Sequence, residues 1–430
     1  MKRVAVLTTF VHLSDAYSLC RVVETHVRML LENGYPTTFV GCDGFQPQGV
    51  YSDPRLRQRR LPVCLMENDY DAVERPSEYF NKVHTLVSAL RSILQEIDVA
   101  ITHDFVYLPQ HLAYNEACRA LAEEFPHVTW LHFIHSAPWP NPGFSVDDPR
   151  SSRFKPLAHS WLLYPNSDDV PRVVAQYGVD IRRIKVVPHA VNWEGDFNFH
   201  PLTCALIRQY DLYSPDVLAI YPIRMDRGKR PEDLVRLFAA LKARGVGVKL
   251  IIFNFHSTAQ HFVDYRNEVI REQRELGLNS REVIFTNLIE SLPGIPREDL
   301  EHYRHEFPHK VVLDLFHLTT FYAHPSTSES YSLVCQEAVA CGNPLFLNAR
   351  LSAMRSMYGT NAHYIEFPTE RDAATSRSST MPYYREAAER IISLFHDEAA
   401  IRLRTRMRRE RNTQSVFRDS LEPLLYLAPE

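Results

Sequence analysis

The chain has 430 residues, with 48 Lys and Arg against 52 Asp and Glu and a formal net charge of −4. That length suits two or three domains, each able to bury a core, and the near-neutral balance is that of an ordinary soluble globular protein. Fourteen glycines against 28 prolines argue against long flexible linkers, and no apolar run approaches eighteen residues, which excludes a membrane-spanning helix. Met1-Lys2-Arg3 followed by Val4 to Leu7 reads as a first β-strand and not as a signal peptide. Apolar residues at helical spacing follow from Val22 to Asn33, ending on Asn33-Gly34, a usual helix stop. Thr37 to Val40 is the next strand, Tyr79 to Glu96 a long amphipathic helix, and Val99 to Thr102 a strand ending at His103-Asp104. Leu112 to Phe125 is a helix, and Val128 to Phe133 a strand ending at His132 and His135. Trp161 to Tyr164 and Ile184 to Val187 complete the first series, which Pro188-His189-Ala190-Val191-Asn192 closes.

Residues 193–213 read as a connector. A second series then runs through strand Leu218 to Tyr221, helix Pro231 to Arg244, strand Val248 to Phe253 and helix Gln260 to Leu276. Strands Val283 to Thr286 and Val311 to Leu315, helix Leu333 to Ala340 and strand Pro344 to Leu347 follow. Helix Pro382 to Phe395 and a basic helix, Ala399 to Arg411, finish it. Alternating strands and helices imply parallel βαβ units. The expected fold class is α/β, with two Rossmann-like doubly wound domains facing a cleft: an N-terminal domain 1–195, a connector 196–215, a C-terminal domain 216–396, and a basic tail 397–430 crossing back to the first domain. The seven cysteines are scattered and odd in number, with no metal-ligand spacing, so a reducing, cytoplasmic location is expected.

The most informative stretch is His324-Pro-Ser-Thr-Ser-Glu329-Ser-Tyr-Ser-Leu-Val-Cys-Gln-Glu337-Ala338. Small and hydroxyl residues lead from a strand into a helix, and such a junction offers free backbone N–H groups that suit a phosphate. Glu329 lies in the loop and Glu337 about two turns later. The pair can accept hydrogen bonds from two separate sets of hydroxyls on one extended ligand, the layout of a nucleotide-sugar. A second cluster is Tyr221-Pro-Ile-Arg224-Met-Asp-Arg-Gly-Lys229-Arg-Pro231. There an arginine fork and a lysine point charge flank a turn at a strand's C-terminal end, fit to hold a diphosphate as it leaves. Arg227 and Arg230 read as a solvated basic turn.

Pro325, Ser326, Glu329, Glu337, Ala338, Gly342 and Pro344 together resemble the signature of retaining GT-B glycosyltransferases of family 4. The Arg224/Lys229 spacing resembles that family's diphosphate-binding pair. The resemblance is strong over 215–350 and loose over the first 195 residues. It implies donor contacts from Arg224, Lys229, Thr286, Asn287, Glu329, Ser330, Tyr331, Ser332, Leu333 and Glu337, with Thr286 and Asn287 acting mainly through backbone. It implies a catalytic set of His135, Arg224, Lys229 and Glu329, and no bound metal or other cofactor. His135 is the better match to the family's cleft histidine because Ser136 and a proline-rich loop follow it, while His132 reads as an internal structural histidine. His26, His103 and Asp104 are further acceptor-side candidates; for His103-Asp104 an ordinary capping or core role stands beside that reading. The family's glycine pair is replaced by Leu19-Cys20-Arg21, and its usual Pro-Asn-Gly-Val-Asp turn by Pro188 to Asn192. Asp147-Asp148 and Asp168-Asp169 read as polar loop or helix-start pairs.

The expected activity is transfer of a sugar from a nucleoside diphosphate to an acceptor hydroxyl with retention. The acceptor is open among DNA, glycan, lipid and small molecule, as is the oligomeric state. Second-half wording such as Tyr331-Ser332-Leu333 and Leu345-Phe346-Leu347-Asn348 resembles bacteriophage variants, some of which glycosylate hydroxymethylated DNA bases. Basic runs at Arg55–Arg60, placed in a loop, and Arg402–Arg411 read as solvated faces, with an anionic acceptor as the sharper alternative. A nucleotide-sugar epimerase or hydrolase, or a sugar-nucleotide binder without activity, are the other rivals.

Overall fold

The computed structural model describes residues 1–14, 16–62, 71–140, 142–255, 258–304, 306–369 and 377–428. The chain divides into two compact units: Met1–Ala190 with Thr413–Glu430, and Val191–Asn412.

Unit 1 is built on seven parallel strands: β1 (Val4–Leu7), β2 (Thr37–Cys42), β3 (Arg57–Leu61), β4 (Val99–His103), β5 (Thr129–Phe133), β6 (Ser160–Tyr164) and β7 (Ile184–Val186). Their order is β3-β2-β1-β4-β5-β6-β7. Every residue of β1, β2, β4, β5 and β6 is buried, as expected of parallel strands covered on both faces. Strand order reverses between β1 and β4, so the turns leaving these strands splay apart and open a crevice at their C-terminal ends. Val416, Phe417, Leu421, Leu424 and Leu425 belong to this unit's core, so the return to unit 1 is made by the segment after Asn412. The basic helix before it stays in unit 2.

Unit 2 contains β8 (Val217–Ile223), β9 (Val248–Asn254), β10 (Val283–Phe285), β11 (Tyr322–His324), β12 (Leu345–Asn348) and β13 (His363–Ile365). Two parallel ladders, β10-β9-β8 and β11-β12-β13, meet at Thr320, whose N–H donates to Leu218 O (2.7 Å) and whose Oγ1 accepts from Leu218 N (3.0 Å). The resulting order, 10-9-8-11-12-13, repeats the first six positions of unit 1. Both units are therefore Rossmann-like, and in unit 2 the switch point lies between β8 and β11.

Four expectations are corrected. Val311–Leu315 is not a strand but part of the helix His309–Leu318; a short apolar run fits either period, and Val311, Val312, Leu315, Phe316 and Leu318 line one buried helical face. The expected connector is part of unit 2: the helix Pro201–Tyr210 buries Leu202, Leu206 and Ile207. Its start is fixed by the buried Asp314 carboxylate, which accepts from His200 N (2.7 Å) and Thr203 Oγ1 (2.9 Å). Arg57–Leu61 is an edge strand and not a loop; exposed Arg57 and Arg59 pair with Glu96 (3.8 and 3.2 Å), a charged edge of the kind that discourages further strand pairing.

The fourth concerns the basic helix Ala399–Glu410, which is not a uniformly solvated face. Arg408 is 1% exposed and donates to the carbonyls of Leu212 (3.2 Å), Tyr213 (2.8 Å) and Pro215 (2.6 Å). Arg404 donates to Gly342 O, Phe316 O and His317 O at 2.7–2.9 Å. Two of the arginines offered to an anionic acceptor are thus spent on backbone carbonyls. No helix among the described residues is long and apolar enough to cross a membrane.

Candidate functional site

The switch point of unit 2 collects the two sequence clusters. The chain leaves β8 into a turn closed by Asp226, whose carboxylate accepts from Gly228 N (2.8 Å). Tyr221, on β8, donates its hydroxyl to Lys229 O (2.6 Å). The turn after β11 is tied to it: Gly228 O accepts from Thr327 N (3.0 Å) and Ser326 Oγ (3.2 Å). From the other side Asn348 Nδ2 donates to Pro325 O and Ser326 O (3.2 Å each). Two loops about a hundred residues apart in sequence are thereby held as one surface.

On that surface the Lys229 ammonium pairs with Glu329. His324 Nε2 lies 3.3 Å from the same carboxylate, and Tyr322 OH is bonded to His324 Nδ1 (3.1 Å). The His324 imidazole and the Lys229 ammonium hold the Glu329 carboxyl down at about 2, so it stays ionised across the physiological range. The Glu329 side chain is 15% exposed and that of Lys229 28%: partly desolvated, yet open on one side.

The helix Leu333–Ala340 starts beside Glu329. Ser332 precedes it at φ 60°, and no side chain caps its first N–H groups. Ser330, Tyr331 and Leu333 are exposed. An uncapped helix start is what the sequence led one to expect here, and such a start suits an anion. A serine in the left-handed region is strained, by about 1–2 kcal/mol relative to an ordinary conformation. Ser332→Gly is therefore expected to stabilise the protein by up to ~1 kcal/mol after the backbone-entropy cost of glycine, read as a raised denaturant midpoint.

Glu337 does not join the Lys229 pair. Its carboxylate meets His309 Nε2 at 2.9 Å, further along the same helix, so the two glutamates occupy separate sub-sites. Arg224 is largely exposed, 3.7 Å from Asp226 and over the Phe262 ring at 5.8 Å. Thr286 is buried at a strand end, its Oγ1 accepting from Asn254 N (3.4 Å). Asn287 Oδ1 is buried without a partner among the described residues. Arg227 pairs with both oxygens of Glu268 (2.9 Å). Arg230 departs from the solvated reading: it is 7% exposed, salt-bridged to Asp233 (2.7 Å), and donates to Pro368 O (2.6 Å). It is a fixture behind the Lys229 turn.

In unit 1 the acceptor-side candidates collect at the C-terminal ends of β4 and β5. His135 N donates to Asp104 Oδ1 (3.1 Å), and burial pushes the Asp104 carboxyl up to about 6. His26 and His103 are 1% and 2% exposed, while His135 and Asp104 are half-buried. His132 is internal and bonded to Thr102 Oγ1 (2.8 Å). Asp148 caps its own turn through Arg150 N (2.9 Å), and Asp169 pairs with Arg172 (2.8 Å), as polar loop residues do. Sequence reasoning gave no role to His324, Tyr322, His309 or His189; only His324 carried a signal, as the residue opening the motif.

A cavity of about 830 Å³ runs beside the edge strand β10, lined by residues including Tyr210, Gln273, Arg281 and Phe285. None of the predicted donor residues lines it, and it lacks the convergent charges of the switch point, where ligands of open α/β sheets bind.

The fold is thus a chain of two Rossmann-like parallel α/β units with a charged switch-point site in the second. No protein-family model matches the chain, and no curated protein matches its sequence. Among solved structures it is similar to a sucrose-phosphate synthase from Thermosynechococcus elongatus, at 16% identity and TM-score 0.34 over 99% of this chain and 96% of that one. It is similar to a glycosyltransferase from Rickettsia africae ESF-5 (13%, TM-score 0.33, 98% of each chain). A third is a UDP-forming α,α-trehalose-phosphate synthase from Burkholderia xenovorans (15%, TM-score 0.36, 100% of each chain). Likenesses of that size carry no assignment of activity, and none supports a bacteriophage-type variant.

Proposed function

We propose that the protein is a glycosyltransferase that moves a sugar from a nucleoside-diphosphate sugar to an acceptor hydroxyl with retention of configuration. The observation that carries this reading is the Lys229–Glu329 pair at the switch point of unit 2, beside an uncapped helix start. A cation, a run of free amides and an ionised carboxylate within one small surface match a diphosphate joined to a hydroxyl-bearing ring.

In this reading the anomeric carbon–oxygen bond to the diphosphate breaks while the acceptor oxygen bonds to that carbon from the same face. The acceptor proton passes to the departing phosphate oxygen. Lys229, Arg224 and the amides of residues 330–333 take up the charge that grows on the leaving group. A lysine ammonium has three donors, so Lys229 can turn from Glu329 to the diphosphate, which releases carboxylate lone pairs for sugar hydroxyls. Glu337 takes the ribose hydroxyls, and the acceptor-side candidate that unit 1 supplies is His135. No step is routed through a metal.

The test is thermal unfolding against a panel of UDP-, GDP- and ADP-sugars; a ligand of the native state raises the melting temperature by mass action. One member of the panel is expected to do so, and Glu337→Ala to weaken that binding by roughly 10–100-fold, the worth of hydrogen bonds to a charged group. A panel without effect on the wild-type protein would sink the assignment.

A further inference from the structure

We infer that His26, His103 and His135 form a single hydrogen-bonded imidazole relay, in which His26 and His103 are positioning residues that set the ring tautomer of His135. The inference deepens the role given to His135 above and rests on that reading only for its catalytic consequence.

The geometry is a chain. His26 Nδ1 lies 3.4 Å from His103 Nε2, and His103 Nδ1 lies 3.0 Å from His135 Nε2. His103 spends both ring nitrogens inside the chain, so it presents neither to a ligand. Nor do the rings converge on a point, as metal ligands would: the two contacts leave opposite sides of His103. Phe133 fixes the set, lying 4.6 Å from His26, 4.9 Å from His103 and 5.7 Å from His135 between ring centroids. Exposure rises along the chain, from buried His26 and His103 to half-buried His135, whose ring centroid lies 5.3 Å from that of the exposed His189.

Proton counting gives the consequence. A neutral imidazole carries one N–H and one lone pair. Two N–H···N bonds through three neutral rings allow two arrangements. In one, His26 Nδ1–H donates to His103, His103 Nδ1–H donates to His135, and His135 keeps its proton on Nδ1. In the other every bond reverses, and His135 Nδ1 is a bare acceptor. A mixed arrangement sets two lone pairs or two N–H groups against each other in a buried site, so the rings switch together. The state of His135 Nδ1 is thereby coupled to the His26 ring, two hydrogen bonds away along the chain. Neutral rings are what the surroundings favour: burial, then repulsion among these imidazoles and His189, pushes His26 and His135 down to about 3 and His103 well below its ordinary value.

The test is nuclear magnetic resonance of the full chain with ¹⁵N-labelled histidine at neutral pH. In the wild-type protein the relay requires one protonated and one bare nitrogen on each ring, with a scalar coupling across the hydrogen bond between the His103 and His135 nitrogens. In His26→Phe, which does not touch His135, the His135 nitrogen shifts are expected to move. His26→Gln, whose amide can donate or accept, should restore them. Absence of the coupling in wild-type protein, or His135 shifts indifferent to His26→Phe, overturns the relay; the wild-type measurement stands even if the variant misfolds. None of these readouts needs a sugar donor, so a failed transferase assay and a failed relay are told apart.

Discussion

Lys229→Met is expected to lower turnover by roughly 10²–10³-fold, the usual loss when one preorganised donor to a developing charge is removed. Met keeps most of the aliphatic stem and removes only the ammonium. The fold should tolerate this, because a partly exposed ion pair contributes at most about 1 kcal/mol and Glu329 keeps His324 at 3.3 Å. Turnover should therefore fall while the melting temperature barely moves. With one of the two neighbours that hold it down gone, the Glu329 carboxyl should also rise from about 2 toward its ordinary range. Its depressed value contributes stability that is present above the unfolded carboxyl's value and lost as pH falls through the folded one. The variant should lose that contribution at a higher pH than the wild-type protein, visible as a shifted acid-unfolding curve. Full turnover in Lys229→Met would remove the lysine from the mechanism.

Asp233→Ala carries the largest expected cost in stability, about 3–5 kcal/mol, because it leaves buried positive charge without compensation. The Asp233 side chain is fully buried, salt-bridged to Arg230 (2.7 Å) and Arg236 (3.3 Å), and accepts from Tyr384 OH (2.5 Å). Arg236 retains both oxygens of Glu272 (2.6 and 3.0 Å), whereas the hydrogen bond left to Arg230 among the described residues is to a carbonyl, Pro368 O. Arg230 is the residue after Lys229 and sits at φ 50°, so its loss of anchorage should also loosen the Lys229 turn. Denaturant unfolding followed by circular dichroism measures the effect, with the transition of each unit fitted separately. A shift below about 1 kcal/mol would mean that water enters and solvates the arginines.

Much of this fold was legible because parallel strands buried on both faces must be written as continuous apolar runs. Val4–Leu7 is such a run, and Val99 to Ile101 and Trp130-Leu131 form the apolar parts of β4 and β5; the helix Leu333–Ala340 was read to the residue. The errors fall where one-dimensional pattern is ambiguous. Val311–Leu315 satisfies strand and helix periods alike, and β13 is three residues with no apolar run to announce it. Arginine burial was illegible for another reason. Arg408 is satisfied by carbonyls of residues 212–216, nearly two hundred positions earlier, and no local pattern reports a partner that distant. The site divides the same way. Spacing and residue type marked Lys229, Glu329 and Glu337, while the His324 contact, the His309 partner of Glu337 and the chain through His103 depend on which strand ends the sheet order brings together.

The most direct test is a crystal structure of the protein soaked with the nucleoside-diphosphate sugar that most raises its melting temperature. The diphosphate should lie against Lys229 Nζ and the amides of residues 330–333, with the Lys229–Glu329 pair opened and Glu329 turned to sugar hydroxyls. Diphosphate bound elsewhere, for instance in the cavity beside β10, with that ion pair still closed, would contradict the account.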